Sequence, residues 1–181
     1  MNTAVPHKVV ILDRDGTVIV DRPYQHDPDG LEFAAGAAEG LRWLHLRGHR
    51  LVVVTNQSGI GRGLFSAAQL DAVHERLHSM VRAAGAQLAA IYACPHVPEA
   101  GCSCRKPGQT LMRRACADLG FDPRDSVVIG DKNSDVEFGR RAGASSILLA
   151  APDSDEARKT QADAIAPNLL AAARLVTSRG G

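Results

Sequence analysis

Carboxylates, hydroxyls and cations gather in four short stretches of this chain: Asp13-Arg14-Asp15-Gly16-Thr17, Thr55-Asn56-Gln57-Ser58-Gly59, Arg105-Lys106-Pro107 and Gly130-Asp131-Lys132-Asn133-Ser134-Asp135. Several carboxylates brought to one place repel one another unless a cation neutralises them. Hard oxygen donors of this kind suit Mg²⁺, which keeps some of its waters and shares its shell with a substrate phosphate. A carboxylate beside such a metal can attack phosphorus and divide one hard step into two easier ones. Charge then builds on the transferring group and needs a cation against it, which Lys106 can supply. Aspartates also cap helices after strands, and that role would account for any one of these residues but not for the set. A calcium loop is excluded, because Tyr24 stands at the twelfth position counted from Asp13, where a bidentate glutamate is needed.

A second constellation lies just before Lys106. Cys94-Pro95-His96 is followed, after five residues, by Cys102-Ser103-Cys104. Three thiolates and one imidazole at this spacing can close a tetrahedral zinc site with no open position, which is a structural site rather than a catalytic one. It would stiffen the loop 94–104 that delivers Arg105 and Lys106. Cys116 falls on the apolar stripe of a helix and reads as a small core residue. His74-Glu75-Arg76-Leu77-His78 matches the His-Glu-x-x-His pattern of zinc proteases. However, Leu77 belongs to the inner face of its helix, both histidines sit toward the edge, and no third ligand follows. The glycines of Gly59-Ile60-Gly61-Arg62-Gly63 do not match a dinucleotide fingerprint and read as a flexible rim.

The elements that must position these groups alternate regularly. Lys8 to Leu12, Arg50 to Val54, Leu88 to Tyr92, Ser126 to Ile129 and Ser145 to Leu149 are short β-branched or apolar runs, as in buried parallel strands. Helical periodicity places Ala37, Ala38, Leu41 and Leu44 on one face, with Gly48 as a stop. Leu70, Val73, Leu77, Met80 and Ala84 share the face of a longer helix, with a capping box at Ser66 and Gln69 and a stop at Gly85. Leu111 to Leu119 and Ser134 to Ala142 complete the helices, and Arg105-Lys106-Pro107 should open the former. The alanine-rich tail after Ala150 predicts one or two surface helices. Strands alternating with helices imply a three-layer, Rossmann-like α/β domain with a parallel sheet, spanning 1–181 as a single unit. Ligand sites in such sheets form beyond the carboxyl ends of the strands, where the aspartates fall.

Bulk properties narrow the class. Hydrophobic residues make up 45% of the 181, charged residues 23%, and the formal net charge is +1, as in an ordinary globular protein. Aromatics at 4% and near-neutral charge argue against nucleic acid as a partner. No apolar run reaches the ~20 residues of a membrane span. Met1 to Lys8 lacks the apolar stretch of a signal peptide, which predicts a cytoplasmic protein with reduced thiols. A monomer acting on a small molecule is the expectation.

The four motifs, in this order, resemble those of the haloacid dehalogenase superfamily over roughly residues 8–150. The resemblance implies Asp13 as nucleophile and Asp15 as general acid, then base for the hydrolytic water. Thr55 and Lys106 would hold the phosphoryl group. Asp13, the Asp15 backbone carbonyl and Asp131 would bind Mg²⁺, with Asp135 in support. No large cap domain fits the short insertions. Together with the Cys94–Cys104 loop, Thr55 to Ile60 and Arg62-Gly63 look like the heptose bisphosphate phosphatase family. That likeness assigns substrate contacts to Asp21, Arg22, Pro23 and Tyr24, to Asn56, Gln57 and Ser58, and to Arg105 and Lys132. Arg105 would take the distal phosphate. The histidinol-phosphate phosphatases carry a similar zinc loop and are the rival; the short spacing between its halves favours them, whereas Tyr24 and Gly61-Arg62-Gly63 favour the heptose enzymes. A zinc-stiffened binding module without catalysis would lack Asp13, Asp15, Lys106 or Asp131, and all are present.

Overall fold

The computed structural model describes residues 9–178; the expected strand start at Lys8 and the segment Met1 to Lys8 lie outside them. Six strands form one sheet: β1 (Val9–Leu12), β2 (Arg50–Asn56), β3 (Leu88–Cys94), β4 (Ser126–Gly130), β5 (Ser145–Leu149) and β6 (Ala164–Ala166). The helices are α1 (Ala37–His45), α2 (Ser58–Gly61), α3 (Ala67–Ala83), α4 (Thr110–Leu119), α5 (Asn133–Ala142), α6 (Asp155–Lys159) and α7 (Leu169–Ser178). All strand pairs are parallel, in the order β3-β2-β1-β4-β5-β6. The carboxyl ends of β1, β2 and β4 therefore meet at the middle of one sheet edge.

Alternation along the strands divides the core in two. Val9, Ile11, Val52, Val54 and Val128 pack with Leu111, Met112 and Ala115 of α4 and Phe138 of α5. Val10, Leu12, Leu51, Val53, Val127 and Ile129 point the other way, onto Leu41 and Leu44 of α1, Val73 and Leu77 of α3, and Leu169 and Ala173 of α7. Three layers result, as expected. Cys116 is half-buried and packs against the first of these clusters.

Three local expectations change. The tail is only partly surface helix: α6 has no buried residue, but the chain after it adds β6 to the sheet edge and docks α7 on α1, with Leu169, Ala172, Ala173 and Val176 buried. Alanine hides such a strand, because its small side chain carries no β signal, whereas Leu169, Ala172, Ala173 and Val176 do form an i, i+3, i+4, i+7 stripe that marks the inner face of α7. The capping box at Ser66 and Gln69 is present, but Val81 rather than Met80 completes the buried face of α3. Residues 105–109 precede α4 instead of opening it. Asn56 accepts from the Lys106 N–H at 2.9 Å and donates to its carbonyl at 3.3 Å, taking the groups a first helical turn would direct along its axis.

On α3, the His-Glu-x-x-His pattern leads nowhere near a metal: among the described residues His74 and His78 join no cluster with ligating geometry. His74 Nε2 is buried without a hydrogen-bond partner among them. Burial, then the charges of Arg14 and His78, lower the His74 pKa to about 4. Its folded value thus lies below the ordinary one, so the stability it favours is present above pH 6.5 and is lost as the pH falls toward 4. His74→Leu should flatten the fall in melting temperature over that window, by of the order of 2 kcal/mol once partial exposure is allowed for. An unchanged slope in melts run from pH 7 to 4 would place the acid sensitivity elsewhere.

The α1–α7 contact makes a second test. A Cβ on Gly40 would lie 2.8 Å from the Leu169 carbonyl carbon and 2.9 Å from its oxygen, so the two helices touch through backbone. Alanine at a helix interior normally stabilises by about 0.5–1 kcal/mol over glycine, but overpacking against rigid backbone costs about 1–3 kcal/mol. Gly40→Ala should therefore lower the melting temperature by a few degrees; a rise in calorimetry would mean that α7 does not dock there.

Candidate active site

Asp13 follows the last residue of β1, and its N–H extends the ladder to Ile129 O at 3.0 Å. Beyond it the chain folds back, with Val18 N and Ile19 N donating to Arg14 O and Gly16 N to Ile19 O. Gly16 makes this turn at φ +78°, and a Cβ there would stand 2.3 Å from Asp131 Oδ2. That close approach lets the β1 and β4 loops share one floor.

Lys106 lies under that floor, almost fully buried. Its Nζ is 2.7 Å from both Asp13 Oδ1 and Asp135 Oδ1, and it donates to Val54 O at 2.6 Å, so all three N–H donors are engaged. Burial alone would push its pKa down, but the charges of Asp13 and Asp135 outweigh it and hold the ammonium above its usual range. The other Asp135 oxygen accepts from Lys132 N at 3.2 Å. This contact needs Gly130, where a Cβ would meet Asp135 Oδ2 at 2.3 Å.

Asp15 is held from two sides. The Arg14 guanidinium meets it with two parallel bonds, at 3.0 and 3.1 Å. Gln57 Nε2 donates to it at 2.8 Å and also to Thr55 Oγ1 at 2.8 Å. Arg14 is fully buried, and no motif reading singled it out as the clamp on its neighbour. Its position inside the motif, next to a carboxylate on a buried strand end, is the signal that could have found it.

Asp13, Asp131 and Asp135 offer oxygens within 4.8 Å of one another. Burial, then the charge of Asp13, raise Asp131 to about 7, and its Oδ1 is buried without a partner among the described residues. An orphaned buried carboxylate oxygen facing two more carboxylates fits a divalent cation. Asp135 has both oxygens committed to Lys106 and to Lys132 N, which leaves Asp13 and Asp131 as the side chains free to ligate it.

Every predicted catalytic and substrate-contacting residue borders one cleft of about 650 Å³: Asp13, Asp15, Asp21, Arg22, Pro23, Tyr24, Thr55, Asn56, Gln57, Ser58, Arg105, Lys106 and Lys132. Asp131 does not line it, and Gly59, Ser134 and Asp135 also do. Arg22 is turned partly away, bonded to Gly30 O at 2.8 Å and paired with Glu32 at 2.9 Å. Lys132 and Asp21 face each other across the cleft at 3.5 Å. The glycine-rich segment is ordered as α2 rather than a loose rim: Gly59 packs under Phe65 and Gly61 N donates to Pro95 O.

Beside the cleft, Cys94, His96, Cys102 and Cys104 form one cluster. The sulfurs are 3.1–3.6 Å apart, and His96 Nδ1 is 3.6 and 3.1 Å from Cys94 and Cys104. Four donors at tetrahedral zinc distances lie about 3.8 Å apart, so a small outward relaxation would admit the ion. Burial pushes the Cys94 thiol up to about 12. At Cys102 the Arg105 N–H, then hydrogen bonds from the Cys104 and Cys94 thiols, overcome burial and bring it to about 6, a thiolate suited to a metal. The cluster could hold zinc.

Comparison with known proteins gives a consistent family. Residues 103–172 match the HAD-hydrolase-like family model. A Thermoplasma volcanium protein named "Probable D-glycero-D-manno-heptose-1,7-bisphosphate 7-phosphatase" is 41% identical over 135 residues, 74% of this chain and 92% of its own. The D-glycero-beta-D-manno-heptose-1,7-bisphosphate 7-phosphatase of Haemophilus ducreyi is 40% identical over 149 residues, 78% of this chain and 82% of that one. In three dimensions, a D,D-heptose 1,7-bisphosphate phosphatase from B. bronchiseptica, crystallised with magnesium and phosphate, superposes with a TM-score of 0.84 at 31% identity, covering 94% of this chain and 98% of that one. Fold, ordered motifs and similarity over about three quarters of the sequence agree, and the chain belongs to the D-glycero-D-manno-heptose-1,7-bisphosphate 7-phosphatase family of HAD-like hydrolases.

Proposed function

We propose that this chain hydrolyses the 7-phosphate of D-glycero-D-manno-heptose 1,7-bisphosphate through a phosphorylated Asp13, acting as a single domain over 1–181. The observation that carries this reading is one cleft with a carboxylate and a buried ammonium at its floor and Arg105, Lys132 and Tyr24 around its mouth. Asp13 Oδ bonds to phosphorus as the bond to the sugar oxygen breaks, and Asp15 passes that oxygen a proton. Asp15 then takes a proton from water, which attacks the same phosphorus, breaks its bond to Asp13 and frees inorganic phosphate. As Asp13 turns to phosphorus, its contact with Lys106 passes to a phosphoryl oxygen, joined there by the Thr55 hydroxyl. Asp13, Asp131 and the Asp15 carbonyl would hold Mg²⁺, which supplies charge neutralisation at the transferring group.

Arg105 directly follows Cys104, so a filled zinc site would fix its backbone and present its guanidinium to the phosphate that is not cleaved. Thiols retained in a metal-binding cluster support a cytoplasmic setting.

Side-by-side kinetics on both anomers of the bisphosphate and on histidinol phosphate test the substrate; a preference for histidinol phosphate would replace the sugar in this reading. Asp13→Asn should abolish turnover in a folded protein, and near-normal activity would end the phosphoenzyme mechanism. Arg105→Ala should lower kcat/KM for the bisphosphate about ten- to a hundredfold, the loss expected for a charge-assisted contact, while sparing a simple monophosphate. Equal losses on both would make Arg105 part of the general phosphate clamp.

The two metal sites should separate. Chelation should remove activity, and Mg²⁺ alone should restore it. Elemental analysis should find about one tightly held zinc per chain. Protein stripped of zinc should show faster amide exchange over residues 94–106; unchanged exchange would deny the cluster a structural role.

A further inference from the structure

One wall of the cleft depends on an uncommon backbone. Tyr24 has φ +53°, alone among the non-glycine residues described. A Cβ is disfavoured in this region, and tyrosine is not among the residues that enter it readily, so neighbouring contacts must hold it there. His26 makes the nearest one: its Nδ1 lies 2.7 Å from Tyr24 O. A carbonyl only accepts, so Nδ1 carries the hydrogen. The imidazole also stacks on Phe65, with centroids 5.5 Å apart and planes 13° from parallel. Phe65 in turn is seated on Gly59, where a Cβ would meet its ring at 2.0 Å, and Gly59 lines the cleft. Between Tyr24 and His26, Gln25 is buried and its carbonyl receives Arg14 Nη2 at 3.4 Å. Gln25 thus ties the loop to the clamp on Asp15, while His26 ties Tyr24 to Phe65 and, through it, to Gly59.

We propose that His26 is a positioning residue for the sugar: its hydrogen bond and its stack on Phe65 keep Tyr24 in the left-handed conformation and so present that side chain to the ligand before it arrives. The proposal rests on the phosphatase reading above. His26 makes no contact with Asp13, Asp15 or Lys106 in the structure, so its effect belongs to binding. Preforming a loop lowers the ordering cost at the moment of association and appears in KM rather than kcat.

The test is a double-mutant cycle with Tyr24, read on two substrates. His26→Ala should raise KM for the bisphosphate about five- to tenfold, the scale of one lost hydrogen bond with its stack, and leave kcat within about twofold. KM for p-nitrophenyl phosphate, which has no second phosphate or sugar chain, should not move. His26→Asn offers an amide N–H in place of Nδ1–H and should recover part of the loss. Tyr24→Gly accepts the left-handed backbone without help, so adding His26→Ala to it should change nothing further. The same further loss in the Tyr24→Gly background, equal losses on both substrates, or an unchanged KM would each overturn the proposal. Should the unaltered enzyme prefer histidinol phosphate, the sugar assignment fails by itself, and the same cycle on that substrate still decides the role of His26.

Discussion

A single buried ammonium organises this molecule. Lys106 Nζ sits among Asp13, Asp135 and the Val54 carbonyl, on the axis where β1, β2 and β4 end. Isolating such charges from water costs several kcal/mol for each ion, offset only when every partner is present. The three strand ends are therefore interdependent: β1 contributes Asp13, β2 the Val54 carbonyl and β4, through Gly130, the approach of Asp135. Asn56 fixes the lysine from the other side by gripping its backbone. Removing one carboxylate leaves the others unbalanced. The same cluster that organises the site is thus a stake in the stability of the sheet edge.

Much of this was legible in the chain. The strands were readable because β-branched runs buried on both faces carry few competing signals, and the aspartates fell where parallel sheets place their ligands. The cysteine–histidine spacing foretold a cluster that the fold does assemble. What stayed hidden was of two kinds. The short alanine-flanked β6 carries little strand character, so its place at the sheet edge could not be read from its side chains. Contacts between distant segments were hidden as well: the Gln57 bridge from Thr55 to Asp15 and the grip of Asn56 on Lys106. No local period encodes a hydrogen bond across fifty residues of chain.

The cysteine cluster shows how a small loop can stand in for a domain. Enzymes of larger build close a lid to select substrates. Here the segment between β3 and α4 is short, and its shape is governed by four donors gathered at one point. Its end leads into two of the cleft's cations, Arg105 and the buried Lys106. A metal that performs no chemistry could thereby set the distance between these two cations, as a gauge does.

The open mouth of the cleft has a kinetic consequence. In many enzymes turnover waits for a lid to lift off the product. No inserted domain among the described residues closes over Asp13, so turnover would not wait on one. A covalent phosphoryl group on the buried Asp13 would be reached only through the cleft, and its lifetime would depend on which acceptor enters. Small alcohols in the medium would then compete with water for the phosphoryl group, and the partition between hydrolysis and transfer would measure how open the cleft is in solution.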